Sequence, residues 1–118
     1  MASIKIWARV PDGSKLAVWV TVTAGKCIAA ARFREENGTN TDWIHSDLVP
    51  GPKERKLRSP NKYAVTVRIL FTADGSAATI HAQIVKPNGD IHGNVYDYDV
   101  QGDKGDDERA LIVAQTEQ

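Results

Sequence analysis

Cysteine occurs once in 118 residues, so the chain cannot close an intrachain disulfide, and Cys27 fits a reducing compartment. Long apolar runs are missing as well: nothing approaches the roughly 18 to 20 residues a membrane helix needs, and Met1-Ala2-Ser3-Ile4-Lys5 lacks the apolar stretch of a secretory signal. As written, the chain reads as cytoplasmic, with secretion left open because a leader can be trimmed. The sequon Asn37-Gly38-Thr39 has meaning only for an exported chain. Neither sign of charge is in excess, since 15 basic and 15 acidic residues cancel. No whole-molecule field draws the protein to nucleic acid or membrane, so neither is expected as a partner, although local patches remain open.

Chemistry-bearing arrangements are scarce too. His45, His81 and His92 share no metal-ligand spacing, and Cys27 falls at a core-facing position with no base suggested beside it. Carboxylates abound near the carboxyl end, but no two stand out as an acid and base across a cleft. A non-enzymatic protein is the expectation. At this length the chain makes one domain, residues 1–118, with one core.

What is present is turn chemistry separated by alternating strands. Gly-containing turn signals recur at Asp12-Gly13, Ala24-Gly25, Asn37-Gly38, Asp74-Gly75 and Asn88-Gly89, and only the tail after Asp107 offers any helical alternative. Alternation places Ile4, Ile6, Ala8 and Val10 inward on the first run, and Leu16, Val18, Val20 and Val22 on the second. Cys27, Ala29, Ala31 and Phe33 face inward on the third. The pattern restarts with Tyr63, Val65, Val67, Ile69 and Phe71, and two-residue hairpins would then pair Phe71 with Ala78 and Ala82 with Val95. A last strand is expected at Leu111–Gln115, an edge strand around Trp43-Ile44-His45, and a solvated loop or edge guard in the basic stretch from Lys53 to Arg58. Two three-stranded meanders, each with one apolar face, bury those faces by stacking. The expected fold is therefore an all-β, antiparallel two-sheet sandwich with added edge strands.

Those hairpin registers also dictate the outward faces. On the second meander they gather Arg68, His81, Gln83, Asn94, Tyr96 and Tyr98 into one patch of planar donors, acceptors and rings. Such groups can hydrogen-bond hydroxyls while a ring packs on an apolar sugar face, so a glycan or other polar small ligand is expected. An inert solvated sheet is the competing reading. On the first meander, Trp7 would lie opposite Trp19, with Arg32 nearby. That arrangement suggests a homo-oligomer interface, with an aromatic ligand platform or a loop-covered minor core as alternatives.

From Asp97 to Glu108 the chain follows the offsets of a calcium loop, with Asp97, Asp99, Asp103 and Glu108 as the candidate oxygen ligands and Gly102 at the sharp turn. Gln101 and Lys104 depart from that pattern, and a strand precedes it, so a solvated acidic hairpin loop is preferred. Calcium is the one cofactor left open.

The segment Ala29-Ala30-Ala31-Arg32-Phe33-Arg34, Trp43 at a loop's distance, and Tyr63-Ala64-Val65-Thr66-Val67-Arg68 resemble the middle and penultimate strands of immunoglobulin-like and fibronectin type III sandwiches. Lys62-Tyr63 through Ile69 and Val95-Tyr96 through Gln115 are similar to segments of the fungal immunomodulatory proteins, over less than half of the chain. That resemblance implies a sugar-binding, dimeric agglutinin and assigns no residue a role. Ser3 to Val10 departs from it, alternating like a strand where those proteins open with an amphipathic helix. The functional expectation is thus a lectin-like binding module, with a protein-interaction domain acting through Trp7 and Trp19 as the alternative.

Overall fold

The computed structural model describes residues 3–36, 44–45, 53–57 and 62–116. Strand accounts for 73% of them and helix for none, which makes the protein all-β and rules out a helical tail. The strands are β1 (Ser3–Val10), β2 (Lys15–Ala24), β3 (Cys27–Glu35), β4 (Ile44–His45), β5 (Lys53–Lys56), β6 (Lys62–Phe71), β7 (Ser76–Val85), β8 (Tyr96–Gly102) and β9 (Asp107–Thr116). They form a five-stranded sheet in the order β1-β9-β6-β3-β4 and a four-stranded sheet in the order β5-β2-β7-β8. All pairings are antiparallel except that of β1 with β9.

Alternation correctly assigns the inward faces of most strands. Leu16, Val18 and Val20 of β2, Ala29, Ala31 and Phe33 of β3, Tyr63 to Phe71 by odd numbers on β6, and Ala78 to Ile84 by even numbers on β7 all join one buried cluster. The last strand and the short edge strand at Ile44–His45 also form as expected, while Trp43 lies outside the described residues. So does the sequon.

The meanders do not form. β2 pairs with β7, and β3 pairs with β6, so the turns at Gly13, Gly25 and Gly75 carry the chain from one sheet to the other instead of folding it back beside itself. An arch and a hairpin make the same demand on alternation, because each keeps an apolar face on the core; what separates them is which distant strand supplies the ladder. Here the arches hold one another. Ser76, buried at the start of β7, accepts a hydrogen bond from the Lys26 backbone N–H at 3.1 Å and donates to the Ala73 carbonyl at 2.6 Å. The Phe71 N–H goes to the Asp106 carbonyl, and the Gly105 N–H returns to the Phe71 carbonyl, both at 2.9 Å.

β1 departs from expectation in a second way. Ile4 and Ile6 are each 63% exposed, whereas Trp7 is buried. The β1–β9 register shifts between Trp7 and Val10, and Arg9 adopts a φ of 53°. A bulge there inverts the alternation, so Val10 faces the core as expected while Ile4, Ile6 and Ala8 are exposed and Trp7 takes the core side before it. The turn between β7 and β8 does return within one sheet, as the Asn88-Gly89 signal implies, but Ala82 stands opposite Tyr96, not Val95. A slip of one residue reverses both faces of a strand. Tyr96, Tyr98 and Val100 therefore sit on the core side of β8, and Asp97, Asp99 and Gln101 point away from it.

Candidate functional site

Outward side chains of the four-stranded sheet come from odd-numbered residues of β2, β7 and β8, and the registers set them in rows. Trp19, His81 and Asp97 make one row; Thr21, Thr79 and Asp99 make the next; beyond these, Ala77 lies between β2's end and Gln101. The Trp19 and His81 rings stack with centroids 5.0 Å apart and planes 14° from parallel. His81 Nδ1 lies 2.5 Å from the Asp97 carboxylate and Nε2 lies 2.9 Å from the Thr21 hydroxyl. With Nδ1–H given to Asp97, the neutral ring offers Nε2 as acceptor and the Thr21 hydroxyl donates to it. The Thr79 hydroxyl donates to Asp99 at 2.7 Å.

Thr23, Ala77, Thr79, Asp99 and Gln101 border a shallow groove of about 570 Å³ that continues from this cluster. Small side chains at its end leave it open, since Ala24 and Ala77 stand side by side there and Gln101 completes the row. The Asp97 side chain is 57% exposed against 20% for that of His81, so the carboxylate faces solvent while the ring is held between its neighbours.

The carboxylate, imidazole and hydroxyl are linked in the order used for nucleophilic catalysis. An acyl-transfer centre also needs backbone N–H donors converging above the hydroxyl. Strand N–H groups lie in the plane of the sheet, whereas the Thr21 side chain projects from it, so these strands supply none. The arrangement is suited to holding a ligand through a rigid ring, a carboxylate and hydroxyls.

The sequence-derived patch is divided between the two sheets. His81 and Gln83 share the outer face of β7, but Arg68 lies on β6 in the other sheet, beside Ala30 and Arg109, where it pairs with Asp107 at 2.9 Å. Tyr96 and Tyr98 stack on each other on the core side, at 6.3 Å between centroids. Asn94 is exposed in the loop before β8. The Trp-centred interface separates likewise. Trp7 packs in the core below Gly93, Trp19 is on the opposite sheet, and Arg32 neighbours Thr66 on β6.

The carboxylates at the calcium-loop offsets are spread over β8, the turn that follows it and β9. Asp97 and Asp99 engage His81 and Thr79, and Asp103 accepts from the Gly75 N–H at 2.9 Å. Asp106 accepts from the Asp103 N–H, and Asp74 from the Lys104 N–H. Glu108 stands opposite Ile69 on β9, and the turn before it is a cross-sheet arch, not a hairpin. Among the described residues, no group of three or more His, Cys, Asp or Glu side chains is arranged to hold a metal ion.

The residues that alternation missed as partners are Trp19, Thr21, Asp97, Asp99 and Gln101. Alternation with inward Leu16, Val18, Val20 and Val22 turns Trp19 and Thr21 outward; what it does not carry is that β7 lies beside β2. Comparison with known proteins found no matching family model, no similar curated protein and no similar solved structure.

Proposed function

We propose that this protein is a non-enzymatic binding module that recognises a hydroxyl-rich ligand of the carbohydrate class through the outer face of the four-stranded sheet. The observation that carries the reading is the Trp19–His81 stack, tied to Asp97 and Thr21 and opening onto the groove beside Asp99 and Gln101. A ring edge and face next to carboxylate, amide and hydroxyl groups match a molecule that alternates C–H patches with hydroxyls. The stack and its hydrogen bonds preorganise the ring, which lowers the ordering cost on binding. Of the residues expected from sequence, His81 and Gln83 remain in this face.

Support for an immunoglobulin-like reading of the fold comes from the sandwich and from the β1-β9-β6-β3-β4 run. Connectivity departs from it, because β7 and β8 intervene between β6 and β9.

Glycan-array binding of the wild type, Trp19→Ala and Asp97→Asn/Asp99→Asn is the direct test. A discrete set of glycans bound by the wild type and lost in both variants is expected. No bound glycan, or binding unchanged in both variants, overturns the reading.

A further inference from the structure

We infer that the free edge of β1 takes up an extended segment of another protein as an added strand, one in which aliphatic residues flank an acid. Among the described strands β1 has β9 as its sole neighbour, at the end of the five-stranded sheet. Alternate backbone N–H and C=O groups of an edge strand point away from its neighbour, and such a row is a template for a further strand. Native sheets blunt that template with charge, bulges or cover. On β1 the bulge and the cover are confined to one end. The bulge at Arg9 bends the strand, and the His92 Nε2–H caps the Ala8 carbonyl at 3.0 Å. From Ser3 to Trp7 the register with β9 is regular. Ile4 and Ile6, each 63% exposed, are the most exposed large aliphatic side chains described.

The register also sets what a partner must bring. Ile4 stands beside Leu111 and Ile6 beside Val113, so an aliphatic residue opposite each isoleucine would extend two apolar rows and cover them. Between them Lys5 turns to the other face, with its ammonium 5.2 Å from the centre of the Trp7 ring. Both charged residues of β1, Lys5 and Arg9, are basic. A ring face attracts an ammonium without neutralising it, so an acid opposite Lys5 complements the edge. A second copy of this chain does not. Antiparallel pairing centred on Lys5 sets two lysines against each other, and pairing centred on Ile6 puts Ile4 against Ala8, whose carbonyl His92 already holds. In strand addition the main-chain hydrogen bonds supply affinity and the alternating side chains supply selectivity.

Fluorescence polarisation with two end-capped synthetic peptides tests the inference, one alternating valine with glutamate and the other valine with lysine. The full chain is expected to bind the glutamate peptide and not the lysine peptide, and on binding the amides between Ser3 and Trp7 should gain protection from hydrogen exchange. Lys5→Glu should reverse that preference, and Ile4→Ser/Ile6→Ser should weaken binding at least roughly fivefold, each variant being checked for an unchanged melting curve. The isoleucines are exposed, so the serine variant keeps the test open if Lys5→Glu fails to fold. Equal binding of both peptides, no binding of the glutamate peptide, or protection gained only outside β1 would each overturn the inference. So would a dimer that protects these same amides with no peptide present, because the edge would then belong to a second copy.

Discussion

A Cβ added to Gly25 would meet Ser76 Oγ at 2.2 Å and Ser76 Cα at 2.8 Å, and the second of these is backbone that cannot swing aside. Gly25 also has a φ of +66°, where an L side chain is strained on the order of 1–3 kcal/mol. Gly89, at +94°, has open space around its missing Cβ. Comparing Gly25→Ala with Gly89→Ala separates the two costs, since only the first also forces two arches apart. Urea unfolding should show a lower midpoint for both variants at unchanged slope, with the larger drop for Gly25→Ala; equal drops would mean the Gly25–Ser76 contact contributes nothing. Ser76→Ala strands the Lys26 N–H and should cost about 1–3 kcal/mol in the same assay.

Burial pushes the thiol of Cys27 above its ordinary value. Iodoacetamide should therefore alkylate the native protein more slowly than the urea-unfolded chain at the same pH. The sign for stability follows from proton counts. Above the unfolded thiol's pKa, the unfolded chain has released its proton while the native one keeps it, so this residue's contribution is full at neutral pH and declines through the alkaline range. Cys27→Ala should flatten that part of the melting-temperature profile.

At the level of strands, the two candidate topologies place Leu70 beside different partners. In the arched sandwich it stands opposite Ile28 on one face; a hairpin at Asp74-Gly75 would put it opposite Thr79 instead. In a Cys27→Ser background, Leu70→Cys/Ile28→Cys should cross-link under mild oxidation, and Leu70→Cys/Thr79→Cys should not. The reverse pattern, read by mass and gel shift, would restore the meander.

This also marks how far alternation could be read from sequence. Alternation is a property of each strand alone, and it gave the inward sets of β2, β3, β6 and β7 directly. Pairing depends on contacts such as Ser76 with Lys26, which are separated by 50 positions and leave no local signal. For the site, that meant the right outward residues on β2 and β7 with the wrong neighbours. On β8 a one-residue slip exchanged the tyrosines for Asp97 and Asp99. On β1 the bulge at Arg9 defeated alternation outright, since nothing in Ser3–Val10 distinguishes a regular strand from one that inverts halfway.

Across the whole molecule, the sandwich turns a neutral chain into a body with two dissimilar outer faces. One presents cations and aliphatics; the other presents Trp19, His81 and the carboxylates Asp97 and Asp99, pointing the opposite way. Trp19 reports on the second face if the other tryptophans are removed by Trp7→Phe and Trp43→Phe. Its fluorescence should change when a glycan that the array identifies is added, because the ring is stacked on His81 within that face. An unchanged spectrum at saturating glycan, with binding retained, would move the ligand off the Trp19–His81 stack and onto another part of the sandwich.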